Sequence, residues 1–245
     1  MQKKSVNLLE IKFVQNEEIK NITSYHTAGT VKGVFYPKDN RELIFIYNFL
    51  SVNNIPFKIL GRGSNILISR KGEKLLYIST KNICDNIRIK DIFCTVNASC
   101  PIIKVYQKCL AKSLSGFEYL AGIPGSIGGA IVMNGGAFGV NIFDNLIYIK
   151  VLQNGKIIKL GKEQIEYAYR TSSLKNCLIL SAKFKLSKKD KCSIQKSFLE
   201  CCAFRALKQP KGYSCGSVFK NPDDASAGYL IEQCGLKGKE QGDAL

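Results

Sequence analysis

Two glycine-rich segments carry the residue types in this chain that could bind an anionic ligand. The first, residues 61–65, reads Gly-Arg-Gly-Ser-Asn and lies between two short apolar stretches. Glycine lets the backbone adopt positive φ and approach a ligand closely, and successive amides in such a turn form an anion-binding nest. A plain strand connection would look the same. The segment is not a Rossmann or Walker motif, because Ile66 follows it, no helix is predicted after it and no Gly-Lys-Ser/Thr is present.

The second segment has eight glycines within 24 residues, 116–139, and they alternate with apolar residues. Its centre reads Gly122-Ile-Pro-Gly-Ser-Ile-Gly-Gly-Ala130. A flexible linker would be polar, so the pattern indicates backbone packed tightly against something. We predict a short helix from near Pro124, whose amide end could receive a diphosphate. The alternative is tight packing of backbone against backbone.

The elements that would position these segments are a mixture of predicted helices and predicted strands, each recognised by the spacing of its apolar residues. Residues 40–53 read as a helix that Asn40 can cap, and residues 101–114 as an amphipathic helix with proline at its first position. Gln153-Asn-Gly155 is typical of a hairpin turn. The predicted strands are 31–37, 57–60, 66–69, 75–79, 92–97, 146–152, 156–160 and 178–186, and a long third helix is predicted over 188–207. This pattern predicts an α+β fold with a boundary near residue 187.

The net charge of +17 favours anionic partners. Many of the lysines could instead be simply solvated. No nucleic-acid recognition motif is present, and aromatic residues are not interleaved with basic runs, so we expect no nucleic-acid partner.

Cysteine and histidine usage argues against a metal site. The chain has ten cysteines but no Cys-x-x-Cys pair, and His26 is its only histidine. Most cysteines, such as Cys109, lie in apolar runs, which is typical of core residues in a reducing compartment. There is no apolar signal core at the start and no stretch near the ~20 apolar residues of a membrane span. We therefore expect a cytoplasmic protein without a membrane partner; nothing indicates its oligomeric state, and a monomer is the default expectation.

With both glycine-rich segments in view, the sequence resembles the UDP-N-acetylenolpyruvoylglucosamine reductases. The motifs that carry the resemblance, from about residue 25 to the last residue, are Gly61–Asn65, Gly122–Gly136, Tyr169-Arg-Thr-Ser172, Gln209-Pro210 with Cys215-Gly-Ser-Val-Phe-Lys-Asn-Pro222, Ala227–Glu232 and Gly235–Gly238. They occur in the family's order.

The resemblance implies a flavoprotein of the vanillyl-alcohol-oxidase/PCMH type. It implies a leader (1–24), an FAD-binding domain of two α+β subdomains (25–187) and a substrate-binding domain (188–245) that is incomplete. FAD and NADPH are the implied cofactors and an enolpyruvyl UDP-sugar the implied substrate, in peptidoglycan synthesis. NADPH would reduce the flavin, which would pass hydride to the enolpyruvyl C3 while C2 is protonated.

The resemblance also assigns site residues. Arg170 would clamp the substrate carboxylate and stabilise charge on it. Ser217 would donate the proton, with help from Lys208, Lys220 or a helix end, because a serine hydroxyl is a poor acid. The implied FAD-binding residues are Gly61, Arg62, Gly63, Ser64, Asn65, Gly122, Ile123, Pro124, Gly125, Ser126, Gly128, Gly129, Asn134, Gly135 and Gly136. The implied substrate-binding residues are Tyr169, Lys208, Lys220 and Asn221.

Three departures from the family pattern leave alternatives open. His26-Thr-Ala-Gly-Thr30 stands where the family has a Thr followed by a Gly-Gly pair. No tyrosine-bearing insertion follows Arg170, as in the shorter family type. The sequence stops at Leu245, before the family's His-Ala-Asn-Phe strand and catalytic glutamate, so a flavin-binding protein with little turnover is one alternative. A sugar or lactone oxidase of the same fold is another, which the Gly216–Pro222 segment disfavours.

Overall fold

The computed structural model describes residues 6–83, 86–209, 212–214 and 216–242. The chain separates into two compact units, with residues up to 215 in the first and residues from 216 onward in the second. The boundary near residue 187 stays a prediction. Pro210 and Cys215, which belong to the motifs of the family resemblance, lie outside the described residues.

All strands of the described ranges lie in the first unit. In chain order they are β1 (Lys12–Gln15), β2 (Val31–Tyr36), β3 (Phe57–Leu60), β4 (Glu73–Ser79), β5 (Ile87–Lys90), β6 (Phe93–Asn97), β7 (Leu114–Ser115), β8 (Gly136–Ala137), β9 (Val140–Asn141), β10 (Leu146–Gln153), β11 (Lys156–Gly161), β12 (Tyr167–Ala168), β13 (Thr171–Ser172), β14 (Leu178–Lys185) and β15 (Ser187–Lys188). The α-helices are α1 (Asn40–Val52), α2 (Ile102–Leu110), α3 (Ile127–Val132), α4 (Ile142–Asn145), α5 (Lys191–Lys208) and α6 (Ala227–Gln233).

A four-stranded mixed sheet has the order β1-β2-β4-β3, with β2 and β3 both parallel to β4. Helix α1 connects β2 to β3 and buries Leu43, Ile46 and Leu50. Its cap is Asp39 rather than the predicted Asn40: the Asp39 carboxylate accepts the amides of Arg41 and Glu42. The strand-helix-strand connection ends at Leu60, directly before the first glycine-rich segment.

A five-stranded antiparallel sheet has the order β11-β10-β14-β6-β5. The predicted hairpin is confirmed, with Asn154 and Gly155 at φ 51° and 71° between β10 and β11. Helices α2 and α3 and the fully buried Phe143 and Phe184 belong to the core on this sheet. The second glycine-rich segment therefore passes over a rigid, well-packed base. The predicted α+β class is confirmed.

Several predicted boundaries are wrong for reasons of long-range pairing. Residues 66–69 form no strand: Ile68 is buried, but the segment joins neither sheet. Helix α2 ends at Leu110 instead of 114, because Ser113 adopts φ 53° and Leu114 pairs with Lys188 in β15. That pairing, with Asp190 accepting the Ser193 amide as the helix cap, also delays α5 to residue 191. The strands β1 and β5 were not predicted, and neither were the two-residue strands β7, β8, β9, β12, β13 and β15.

Cys94, Cys100 and Cys109 are buried, as expected of core cysteines. In the described ranges, no helix combines the length and the apolar character needed to cross a membrane.

The second unit is described from Gly216 to Gly242. Helix α6 begins after Ser226, whose hydroxyl accepts the Tyr229 amide. The Asn221 side chain also accepts an amide at this helix start, that of Ala227 at 3.0 Å. The segment that carries Ser217 and Lys220 is exposed.

Candidate functional site

The loop 61–65 packs against residues 22–24, which lie between strands β1 and β2. Gly63 has φ 68°, and a Cβ there would collide with the carbonyl oxygen of Ile22 and lie 2.8 Å from the Cα of Thr23. The Ser24 amide donates to the Gly63 carbonyl at 2.9 Å; the Ser24 hydroxyl lies 3.3 Å from the same oxygen and has a closer acceptor in the Ser214 carbonyl at 3.0 Å. Only glycine fits this close approach of two backbones.

The loop amides are unpaired among the described residues, although Gly63 itself is buried. Among the described residues, no acceptor takes the amides of Arg62, Gly63, Ser64 or Asn65. Arg62 and Asn65 are exposed. Successive free amides around a glycine at positive φ, beside an arginine, form a nest for an anion.

The second glycine-rich segment faces this loop directly. A Cβ on Gly61 would lie 2.7 Å from Ser126 Oγ, and one on Gly125 would lie 3.6 Å from Ser64 Oγ. Gly122, Pro124 and Gly129 expose their surfaces to solvent. The structure therefore brings residues 61–65 and 122–129 into contact, and the exposed surface along their junction is the candidate cofactor cleft.

The start of α3 is not the anion site that the sequence suggested. The helix begins at Ile127, three residues after Pro124, because the Ser126 hydroxyl accepts the Gly129 amide at 3.3 Å. The Ile127 amide donates to Cys100 and the Gly128 amide to Ala98, at 3.0 and 2.7 Å. These amides are therefore not free to bind an anion, and diphosphate binding by the loop 61–65 stays a prediction.

At three other glycines that were predicted to bind the cofactor, close packing leaves little or no room for a side chain. A Cβ on Gly128 would lie 2.9 Å from Ala98 Cβ, one on Gly135 would lie 3.3 Å from Ala130 Cβ, and one on Gly136 would lie 2.5 Å from the Val140 oxygen. Contact of these three residues with a cofactor stays a prediction.

Arg170 is fastened to the end of this segment. It adopts φ 57°, and its Nη2 donates to the Gly136 carbonyl at 2.7 Å and its Nη1 to the Asn134 carbonyl at 3.4 Å. The buried Asn134 side chain donates back to the Ala168 carbonyl at 3.0 Å, and the Ser172 hydroxyl donates to the Val132 carbonyl at 2.7 Å. Together these four hydrogen bonds fix the guanidinium against the glycine-rich segment.

Among the described residues, the hydrogen-bond partners of the Arg170 guanidinium are uncharged. Its partners are neutral carbonyls, and no carboxylate among the described residues forms an ion pair with it. The exposed Tyr169 ring lies 5.0 Å from its Cζ. A fixed cation without a carboxylate partner can bind an incoming carboxylate or stabilise charge that develops near it.

The remaining predicted residues divide between the two units. Lys208 is the exposed last residue of α5, in the first unit with Tyr169 and Arg170. Ser217, Lys220 and Asn221 lie in the second unit. Within the described part of that unit, the Ser217 hydroxyl has no hydrogen-bond partner.

Sequence reasoning missed Arg205 and Ser24. Arg205 lies on the inner face of α5, in line with Ile194, Phe198 and Cys201, at spacings of four, three and four. A charged residue on an otherwise apolar helix face was the available signal. Ser24 carried no comparable signal, since its role depends on a contact 39 residues along the chain.

Comparison with known proteins gives two family matches. Residues 31–161 match the FAD binding domain, and residues 208–245 match the C-terminal domain of UDP-N-acetylenolpyruvoylglucosamine reductase. The first match includes both glycine-rich segments, and the second match begins at Lys208.

Full-length relatives and solved structures agree. The chain is 39% identical over 233 residues to a UDP-N-acetylenolpyruvoylglucosamine reductase of Clostridium tetani, covering 94% of this chain and 76% of that protein. It is 33% identical to that of Syntrophus aciditrophicus, with the same coverage. The reductase structure from Thermus caldophilus superposes with a TM-score of 0.79 at 28% identity, over 96% of this chain and 83% of that one. Cholesterol oxidase from Brevibacterium sterolicum shares the fold alone, with a TM-score of 0.55 at 12% identity, over 76% of this chain and 40% of that one.

The order of the motifs, the fold and these relatives lead to one assignment: the chain belongs to the UDP-N-acetylenolpyruvoylglucosamine reductase family.

Proposed function

We propose that this chain reduces UDP-N-acetylglucosamine enolpyruvate to UDP-N-acetylmuramate, with FAD as its cofactor and NADPH as the reductant, in the cytoplasmic stage of peptidoglycan synthesis. Family membership supports the proposal. The observation that carries it is the position of the Arg170 guanidinium, which is fixed and has no carboxylate partner among the described residues. It is hydrogen-bonded to the glycine-rich segment that faces the loop 61–65. The substrate bears the carboxylate that such a group recognises.

The residues of the cleft fit FAD. The free amides of Arg62 to Asn65 would hold its diphosphate, and the exposed faces of Gly122 and Gly129 leave room for the rest of the cofactor beside the backbone. When bound, FAD supplies the hydride chemistry that no side chain can perform.

Arg170 would bind and orient the enolpyruvyl carboxylate. Its fixed position matters because a preorganised cation stabilises developing negative charge without reorganising during the reaction. Tyr169, Lys208, Lys220 and Asn221 are the proposed contacts to the rest of the substrate. The lysines suit its diphosphate.

Ser217 would hold the proton that reaches C2. A serine hydroxyl needs a nearby positive charge to give up its proton at a useful rate. We propose Lys208 or Lys220 for that role.

The proposal is tested by supplying the enolpyruvyl UDP-sugar with NADPH and following both NADPH consumption and product mass. We expect consumption that depends on the sugar, and a product heavier by two hydrogens. The Ser217→Ala variant should leave flavin reduction by NADPH intact and slow reoxidation by the substrate, whereas Ser51→Ala, which changes an exposed serine of α1, should slow neither step. Equal slowing of both steps in Ser217→Ala would remove Ser217 from the proton-donor role. Absence of sugar-dependent NADPH consumption would contradict the function itself.

A further inference from the structure

Arg205 is a half-buried cation without a carboxylate. Its Nη2 reaches the Tyr119 carbonyl at only 3.5 Å, and its Nε is buried with no partner among the described residues. No described carboxylate forms an ion pair with it. Leaving a buried donor of a charged group unpaired is strongly unfavourable.

The chain around Arg205 is shaped to admit its side chain. Gly122 has φ 76°, and a Cβ there would lie 3.1 Å from the Arg205 Cδ. A larger residue at position 122 would press on the aliphatic stem. The guanidinium lies beside the exposed Phe138 ring, with 5.8 Å between its Cζ and the ring centroid.

Arg205 and Arg170 border the same short turn. Arg170 donates to the carbonyls of Asn134 and Gly136, and Arg205 lies against Phe138, two residues further on. Burial lowers the pKa of Arg205, and the positive charge of Arg170 lowers it further. Neither cation forms an ion pair with a described carboxylate, and two like charges are stabilised when an anion lies between or beside them.

From this geometry we propose that Arg205 is a second guanidinium of the site, which acts with Arg170 to bind one oxyanion at the turn 134–138. The inference rests on the proposed function, since it concerns the same cleft. The oxyanion has two possible sources: the carboxylate of the enolpyruvyl group or a phosphate of the nicotinamide nucleotide. Both present the planar or tetrahedral oxygens that paired guanidinium groups recognise.

The test compares the wild type with Arg205→Met, Arg205→Lys and Lys196→Met. The methionine variant keeps an unbranched stem and removes the charge. The lysine variant keeps the charge but not the forked geometry. Lys196→Met removes one charge from an exposed position of the same helix and is the matched control. Circular dichroism, thermal unfolding and bound flavin per chain establish that each variant is folded.

Three readouts address the oxyanion. Calorimetric binding of inorganic phosphate needs no turnover, so it remains informative if the proposed reaction is not observed. Reoxidation of reduced flavin is measured with the enolpyruvyl UDP-sugar and with its methyl ester. Flavin reduction is measured with NADPH and with NADH, which lacks one phosphate.

We expect phosphate binding to weaken at least about tenfold in Arg205→Met, the effect of losing a charge-assisted hydrogen bond, and to be unchanged in Lys196→Met. If the carboxylate is the natural ligand, the wild-type preference for the acid over the ester collapses in Arg205→Met. If the phosphate is the ligand, the preference for NADPH over NADH collapses instead. A folded, flavin-loaded Arg205→Met variant in which phosphate binding and both preferences equal those of the wild type would overturn the inference.

Discussion

Replacing Gly63 with alanine tests whether the cofactor loop depends on its close contact with the segment 22–24. Gly155 is the matched control: its φ of 71° equals that of Gly63 (68°) to within a few degrees, but nothing lies within 4 Å of a Cβ built there. Alanine in this left-handed region costs about 1–2 kcal/mol at either position. Gly63→Ala must additionally displace the Ile22 carbonyl and the Ser24 amide donor, whose hydrogen bond contributes about 0.5–1.5 kcal/mol.

We therefore expect Gly155→Ala to lower the unfolding free energy by about 1–2 kcal/mol, and Gly63→Ala to lower it by roughly 1.5–3.5 kcal/mol, the sum of both effects. For a unit of this size each kcal/mol shifts the melting temperature by about 2–4 °C. Thermal unfolding by circular dichroism gives the shift, and absorbance gives bound flavin per chain. Gly63→Ala should also purify with less flavin, and Gly155→Ala with the full amount. Equal melting temperatures and equal flavin content in the two variants would refute the argument.

Three further predictions follow from individual contacts. Ser172→Ala removes a hydrogen bond that holds the Arg170 segment in position. We expect turnover to fall about tenfold, for a loss near 1.4 kcal/mol in transition-state stabilisation, with flavin content unchanged. Turnover equal to that of the wild type would contradict the positioning role. Asp39→Ala should cost about 1 kcal/mol of stability at neutral pH, while Asp39→Asn retains the cap and should cost less. Burial raises the pKa of the Asp39 carboxyl, but hydrogen bonds from the first turn of α1 and from the neighbouring arginine outweigh this effect and lower the pKa overall. The stabilisation by ionised Asp39 is therefore present above about pH 4 and is lost as the pH falls below that. The urea midpoints of wild type and Asp39→Asn should accordingly converge in acid. A hydrogen bond with the buried Cys94 thiol raises the pKa of Cys109, and burial raises it further. A thiol reagent, detected by mass spectrometry, should therefore label the exposed Cys192 and leave Cys109 unmodified until the protein unfolds. Early labelling of Cys109 would show that the core around it opens.

Local signals predicted the elements that depend on few neighbours. The Asn154-Gly155 turn requires positive φ at both positions, and asparagine and glycine adopt it most easily, so the hairpin was evident from the sequence. Helix α1 followed from its apolar spacing. Its cap was misplaced by one residue because asparagine and aspartate are adjacent and both can cap.

Elements that depend on distant partners were missed or misplaced. The end of α2 follows from the pairing of Leu114 with Lys188, which lies 74 positions later in the chain. The apolar residues 66–69 look like a strand, but Ile68 is buried without a strand beside it. Apolar alternation indicates burial, and it does not by itself supply a hydrogen-bonding partner.

In the candidate site, too, local sequence signals were recognised and contacts between distant residues were not. Both glycine-rich segments were recognised, but their opposition, in which Gly61 meets Ser126, is a contact across 65 residues that only the fold provides. The helix start looked like the anion site because its sequence is right for one, and the structure corrected this because Ala98 and Cys100 already accept its amides. Arg205 was missed although its helical spacing with Ile194, Phe198 and Cys201 was visible in the sequence; its contacts with Tyr119 and Phe138 appear only in the fold.

An anaerobic visible spectrum of the purified protein is the most direct test of the proposed reaction. NADPH is added first and the enolpyruvyl UDP-sugar second, with the flavin absorbance recorded after each addition. We predict a flavin spectrum that bleaches with NADPH and returns when the sugar is added. A protein without flavin, or a reduced flavin that the sugar fails to reoxidise, would contradict the proposed reaction.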